Sequence, residues 1–176
     1  RELGWDVELH RLDAGFPNPS PGALAVAAEI LAAIPSGRIV MLDGLAMGAM
    51  PTVVALESRR LRLIALVHHP LAEETGLSAE HAAALHISER RALAFVRHVV
   101  VTSRYTVGLV TGLGVELERI SVAEPVTDPA PLARRSDGST LNLLCVASVT
   151  LRKGHAVLLD ALAQLKGRDW QLTCVG

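Results

Sequence analysis

The sequence predicts an α/β fold in which a parallel, Rossmann-like sheet is flanked by helices on both faces. Short segments rich in Val, Ile and Leu alternate with helical segments along the chain, and this alternation is typical of parallel βαβ units. Residues 126–140 interrupt the pattern with prolines, charges and small polar residues, a composition typical of a linker. We therefore expect an N-terminal domain at 1–125, a linker at 126–140 and the start of a second Rossmann-like domain at 141–176.

The helices of the first domain are predicted from their apolar composition and from residues that start or stop a helix. Pro35 and Gly37 end the first helix, Pro51 is tolerated in the first turn of the second, and Ser78 is a suitable N-cap for the third. The predicted helices are 21–34, 49–60, 79–96 and one that ends near 112, and the predicted strands are 7–12, 39–42, 61–67, 99–101 and 120–123. The second unit is predicted as a strand at 141–147, a helix that ends near 166 and a strand at 170–175.

Both ends of the chain resemble interrupted elements. Residues 1–4 look like the last turn of a helix followed by a C-cap glycine, and no strand precedes that helix. The strand–helix–strand unit at 141–176 is too small to bury its own sheet. We therefore expect the chain to be a portion of a longer two-domain protein, and we expect this portion to be inactive by itself.

The composition argues against nucleic acid as a partner. The formal net charge is −1 and aromatic residues make up 3% of the chain, so a basic surface and base-stacking side chains are both missing. No apolar run approaches the ~18 residues needed to span a bilayer, although peripheral membrane contact stays open. Cys145 and Cys174 lie within apolar strand patterns, which predicts buried thiols in a reducing cytoplasm, with a cross-strand disulfide as the alternative.

Candidate ligand-binding residues follow the predicted strands, because ligands of open parallel sheets bind beyond the carboxyl ends of the strands. His68 and His69 follow one strand, and either could bond a ligand hydroxyl or act as a general acid or base; the alternative is a histidine bonded to backbone carbonyls. Asp43 could bind a hydroxyl, or it could belong to an ordinary Asp-Gly turn. Ser103 lines the same edge or simply caps the next helix.

A second candidate site is the cationic loop (residues 148–155), which separates a strand from a helix. Arg152, Lys153 and His155 lie where the helix begins. The helix N-terminus already carries a partial positive charge, so these cations are unfavourable there unless an anion binds. Gly154 would let the backbone approach such an anion, most plausibly a phosphate. The alternative is a solvated loop with no ligand.

Several common sites are not predicted. His81 and His86 fall on different faces of their helix, and no thiol or carboxylate completes a zinc set with them. The sequence therefore predicts no metal site. It also lacks the GxGxxG, Walker and GxSxG motifs that dehydrogenases, NTPases and α/β-hydrolases need.

The chain resembles retaining glycosyltransferases with the GT-B fold, of the "group 1" type. The resemblance is carried at the C-terminus by LNLLCVASVTLRKGHAVLLDALAQLKGRDWQLTCVG and upstream by IVMLDGLAMGAMP, LIALVHHPLAEETGL, RHVVVTSRYT and ERISVAEPVTD. It covers nearly the whole chain and implies two Rossmann-like domains that face each other across a cleft. The C-terminal domain would bind a nucleotide-diphosphate sugar as donor substrate, with no tightly bound cofactor and no metal in most members. The N-terminal domain would bind a sugar or lipid-like acceptor.

The resemblance also implies roles for individual residues. Lys153 matches the lysine that contacts the donor diphosphate, with Arg152 and Gly154 beside it, and either His68 or His69 matches the strand-end histidine near the donor sugar. Residues 124–128 resemble the turn that enters the linker.

The chain departs from the family pattern at one position of the loop. Where the family often has Gly-Arg, this chain has Ala147-Ser148, so one usual diphosphate cation is missing. The resemblance implies that the acidic segment that holds the donor sugar and ribose would lie beyond Gly176.

The sequence therefore predicts a portion of a cytoplasmic retaining glycosyltransferase. Two alternatives stay open. The first is a non-catalytic sugar- or nucleotide-binding module, which the serine at position 148 favours. The second is a nucleotide-sugar epimerase of the same architecture, which would need a carboxylate pair that the sequence does not show.

Overall fold

The computed structural model of the chain describes residues 4–132, 138 and 140–176. Residues 133–137 and 139 of the predicted linker lie outside the described residues, as do residues 1–3 of the predicted helix end. The chain divides into two compact units, Arg1–Pro125 and Val126–Gly176.

The first unit alternates helices and strands. Its elements are α1 (Pro21–Ala33), β1 (Ile39–Asp43), α2 (Gly44–Met47), α3 (Pro51–Glu57), β2 (Arg62–Val67), α4 (Ala79–Leu93), β3 (His98–Val101), α5 (Arg104–Gly112) and β4 (Ile120–Val122). Short 3-10 helices at Leu71–Glu73 and Leu117–Arg119 lie in two of the connections. The second unit contains β5 (Leu141–Val146), a 3-10 turn at Leu151–Lys153, α6 (His155–Ala163) and β6 (Trp170–Val175).

Both sheets are parallel, which confirms the predicted α/β class. The first unit has a four-stranded sheet in the order β1-β2-β3-β4, and β5 pairs with β6 in the second unit. Parallel neighbours require a crossover connection, and here every crossover between described strands contains a helix. The general architecture is Rossmann-like.

The core of the first unit lies on one face of its sheet. Leu42, Ala65 and Val99 are aligned across three strands and are buried, and they belong to one apolar cluster with residues of α1, α3, α4 and α5. On the opposite face, Ile39 and Met41 are 46% and 55% exposed. A sheet whose strands follow one another in chain order places successive right-handed crossovers on the same side. The expected burial of both faces is therefore reached on one face only among the described residues.

Serine side chains cap three of the helices, as the Ser78 pattern predicted for α4. The Oγ atoms of Ser20, Ser78 and Ser103 accept hydrogen bonds from backbone N–H groups in the first turns of α1, α4 and α5, at 3.1 Å, 3.2 Å and 3.1 Å. Each bond satisfies a donor that the helix leaves without an internal partner. These caps fix the residue at which each helix begins.

One predicted strand was wrong, and one predicted helix begins two residues later than expected. Residues 7–12 form no strand; Val7 and Leu9 are 60% and 83% exposed, and an alternating pattern becomes a strand only where a neighbouring strand pairs with it. The helix predicted at 49–60 begins later, at Pro51, because the chain first forms α2 directly after β1. Among the described residues, no helix is both long enough and apolar enough to cross a bilayer.

The buried face of the sheet should dominate the stability of the first unit. Leu63 in β2 is fully buried, whereas Leu56 in α3 is 72% exposed. We expect Leu63→Ala to lower the free energy of unfolding by about 2–5 kcal/mol, because the substitution removes buried methyl groups and leaves a cavity. Leu56→Ala is the matched control and should change it by less than about 0.5 kcal/mol. Urea unfolding followed by far-UV circular dichroism measures both, and equal losses would contradict this assignment of the core.

Candidate functional site

The carboxyl edge of the first sheet brings together residues that the sequence singled out separately. Asp43 ends β1, His68 follows β2 and Thr102 follows β3, and these strands are neighbours. The Nε2 atom of His68 lies 3.6 Å from Oδ2 of Asp43, and both side chains are more than half exposed. The Thr102 hydroxyl donates to the His68 carbonyl oxygen at 3.4 Å. The edge therefore presents an imidazole and a carboxylate side by side to solvent.

Asp43 also begins the next helix, so the carboxylate has two functions. Its Oδ1 atom accepts a hydrogen bond from the Leu45 N–H at 2.9 Å, which caps α2. The other oxygen, Oδ2, is the one that faces His68. Gly44 allows a close approach here, because a Cβ atom would lie 3.0 Å from the Leu66 carbonyl oxygen and 3.3 Å from the Val67 Cα, and these neighbours would have to shift by a few tenths of an ångström. The Asp-Gly pair therefore starts α2 rather than an ordinary turn, and the cap orients the carboxylate. At 3.6 Å the contact with His68 is longer than a hydrogen bond, so both groups keep bonding capacity for a ligand hydroxyl.

His68 and His69 occupy different environments, which separates two residues that the sequence treated together. His68 stands at the exposed edge beside Asp43. His69 is half-buried, and its Nε2 atom is buried without a hydrogen-bond partner among the described residues. The His68 side chain is therefore the one that is accessible to a ligand.

Ser103 acts mainly as a helix cap. Its hydroxyl accepts from the Thr106 N–H at 3.1 Å and shares a second hydrogen bond with the Thr106 hydroxyl at 2.8 Å. Beside it, Arg104, Val122 and Glu124 line an open depression of about 430 Å³. Among the described residues, Ser103 does not line this depression.

Glu89 is a buried carboxyl group that the sequence analysis missed. It lies on α4 and is completely buried; its Oε2 atom accepts a hydrogen bond from the Leu71 N–H at 2.8 Å, and its Oε1 atom has no partner among the described residues. Burial raises the pKa of Glu89 to about 7, and the Leu71 hydrogen bond opposes that rise in part. Its spacing from Leu85 and Leu93 places it on the apolar face of α4, and this pattern could have identified it.

The cationic loop of the second unit places two basic side chains at the start of α6. The Lys153 N–H bonds to the Thr150 carbonyl oxygen and the Gly154 N–H bonds to the Leu151 carbonyl oxygen, both at 3.1 Å. Gly154 adopts a left-handed conformation with φ of 67° and is the N-cap residue of α6, and only glycine adopts that conformation readily. As glycine has no side chain, it offers no acceptor to the first-turn N–H groups of the helix. Arg152 and Lys153 are exposed.

Ser148 opens this loop directly after β5. Its carbonyl oxygen accepts a hydrogen bond from the Thr150 N–H at 2.9 Å, which begins the turn toward α6. The chain at the end of β6 lies close to the start of this loop. A Cβ atom at Gly176 would clash with the Ala147 carbonyl group. The loop therefore lies beside the carboxyl end of the neighbouring strand, as the parallel pairing requires.

Three further side chains of the second unit come together unexpectedly. One ligand atom each from Cys145, His155 and Cys174 lies within 4.8 Å of the other two. The prediction of buried thiols was wrong for Cys174, which is exposed, while Cys145 is half-buried. The His155 ring does not join the two cations of the loop, because its Nε2 atom lies 3.9 Å from the Cys145 Sγ. Nothing in the sequence spacing signals this cluster, since the three residues are far apart in the chain.

Comparison with known proteins leaves the family open: no protein-family model matches the chain, and no curated protein matches it.

The buried Glu89 carboxyl should make stability depend on pH. The folded protein keeps the Glu89 proton up to a pKa of about 7 against the ordinary value of 4.5, so the unfolded chain binds fewer protons between these values. The free energy of unfolding should therefore fall by on the order of 3 kcal/mol as the pH rises from 4.5 to 7. Above that pH it should level off. Glu89→Gln, which mimics the protonated carboxyl, should remove this fall.

Urea unfolding at several pH values between 4.5 and 8 measures the effect. Glu29→Gln is the matched control, because Glu29 is exposed on α1, and it should keep the pH dependence of the wild-type chain. If Glu89→Gln showed the same fall as the wild-type chain, the assignment of the proton to Glu89 would be wrong.

Proposed function

We propose that the chain is part of a retaining glycosyltransferase with the GT-B fold, whose cationic loop binds the diphosphate of a nucleotide sugar. The observation that carries the proposal is the placement of Lys153 and Gly154 at the start of α6, within a parallel strand–helix–strand unit. The resemblance of this segment to the donor-binding domain of such enzymes supports the same assignment.

The electrostatics of the loop favour a bound anion. The N-terminus of α6 carries a partial positive charge, and Arg152 and Lys153 add formal charges within one turn of it. A cation at a helix N-terminus costs a few tenths of a kcal/mol or more without an anion, whereas a diphosphate turns the repulsion of Lys153 into an attraction. Because the Lys153 side chain is exposed and flexible, it can reach the phosphate oxygens as a point charge.

The proposed reaction breaks the bond between the sugar and the diphosphate. Negative charge grows on the diphosphate as this bond breaks. Lys153 and the helix N-terminus would therefore stabilise the transition state more strongly than the ground state, in which the diphosphate carries less charge. In the first unit, His68 and Asp43 form an exposed pair that suits recognition of hydroxyl groups on a sugar.

A non-catalytic nucleotide-binding module is the second candidate, and Ser148 is the observation that favours it. A serine hydroxyl supplies no charge where the related enzymes often place an arginine, so stabilisation of the leaving diphosphate would be weaker. Turnover of a panel of nucleotide sugars by the longer protein of which this chain would be a part separates the candidates, because a module binds the nucleotide without releasing the sugar.

The diphosphate assignment makes Lys153 the first residue to test. We expect the chain to bind UDP or GDP weakly, and we expect Lys153→Ala to reduce the affinity by about 10- to 100-fold, since a charge-assisted hydrogen bond contributes about 1.5–3 kcal/mol. Isothermal titration calorimetry at low ionic strength measures the affinity. Lys166→Ala is the matched control, because Lys166 is an exposed lysine of the same unit that follows α6. Equal affinities of wild-type chain and Lys153→Ala would contradict the proposed role.

A further inference from the structure

We propose that Cys145, His155 and Cys174 form a binding site for a thiophilic divalent cation, of which Zn²⁺ is the best example. The three side chains, here called the Cys-His cluster, offer two sulfur atoms and one imidazole nitrogen within 4.8 Å of one another. Two thiolates and one imidazole can serve as the three protein ligands of a tetrahedral zinc ion, whose fourth position is then open to water. The proposal does not depend on the nucleotide-sugar function.

The two cysteines share one face of the sheet because of their register. Cys145 in β5 is aligned directly with Cys174 in β6, and side chains at aligned positions of neighbouring parallel strands point to the same side. Both are free thiols. Since Cys174 is exposed and Cys145 is half-buried, a cation from solution can reach both sulfur atoms.

The crossover helix supplies the third ligand. His155 is the first residue of α6, and its Nε2 atom lies 3.9 Å from the Cys145 Sγ. Its Nδ1 atom is buried without a hydrogen-bond partner among the described residues. A neutral imidazole has one N–H and one lone pair, so a cation bound at Nε2 requires the ring proton to lie on Nδ1, which has no hydrogen-bond partner among the described residues. A cation bound to a ring nitrogen would use the lone pair.

The separations fit tetrahedral coordination after small side-chain rotations. With Zn–S near 2.3 Å and Zn–N near 2.0–2.1 Å, tetrahedral angles place sulfur about 3.6 Å from nitrogen and about 3.8 Å from a second sulfur. The observed sulfur–nitrogen separation of 3.9 Å and the limit of 4.8 Å for all three atoms lie within about 1 Å of these values. A cation would draw the three ligands together without moving the backbone pairing of β5 and β6.

A disulfide between the two cysteines is the competing outcome. Aligned parallel strands are about 4.8 Å apart, a spacing that Cα atoms of a disulfide can adopt. The disulfide would leave the His155 ring without a partner and would need an oxidant, whereas the cation engages all three side chains at once. These differences favour coordination over oxidation.

Co²⁺ is the probe for the experiment, because its absorption spectrum reports both thiolate ligation and tetrahedral geometry. The wild-type chain, kept reduced, should bind one Co²⁺ with intense visible bands and a thiolate charge-transfer band, and Zn²⁺ should displace it. Cys174→Ser and His155→Asn should each weaken Co²⁺ binding by roughly 100-fold or more, since loss of a supporting hydrogen bond alone already costs 10- to 100-fold in metal affinity. Because Cys174 is exposed, its substitution should leave the far-UV circular dichroism unchanged.

The control is His86→Ala, which removes an exposed histidine from α4 in the first unit and should leave the Co²⁺ spectrum intact. A spectrum without the charge-transfer band, or an unchanged spectrum in Cys174→Ser, would overturn the proposal. So would a mass two hydrogens lighter in the freshly purified chain, because it would show that the thiols form a disulfide instead.

Discussion

Each hydrogen-bonded pair of strands among the described residues is parallel. Between two paired strands the chain must therefore return to the end of the sheet at which the first strand began. The carboxyl ends of neighbouring strands therefore meet at one edge. In the first unit this constraint places Asp43 beside His68. In the second unit it places the cationic loop beside the end of β6, and it returns α6 over the face that carries Cys145 and Cys174. The candidate sites of both units therefore lie near the carboxyl ends of parallel strands.

The sequence could predict what depends on local patterns. Most strand positions, the Ser78 cap and the polar strand ends were predicted from a few neighbouring residues each. The failed strand at 7–12 shows the limit, because strand formation needs a partner strand that a local pattern cannot supply. The separate environments of His68 and His69 depend on packing from distant elements. The GT-B architecture stays a prediction, since each unit by itself has only the general Rossmann-like pattern.

The residues that the sequence analysis missed are those whose chemistry depends on long-range contacts. Glu89 resembles an ordinary surface charge until its position on the apolar face of α4 is considered, and its bond to the Leu71 N–H ties α4 to the segment after the histidine pair. Cys145 and Cys174 looked like small apolar residues because their neighbours in sequence are apolar. Register placed their sulfur atoms on the same face, and the helix start brought the His155 ring to them.

The central claim is that a diphosphate binds where the cationic loop meets α6. The most direct measurement is a titration of the isotopically labelled chain with UDP, followed through its backbone amide resonances. The account predicts that the largest shifts fall on residues 153–158, because the first-turn N–H groups of α6 and the Lys153 side chain would contact the phosphates. Shifts confined to the first unit, or none at millimolar UDP, would contradict it.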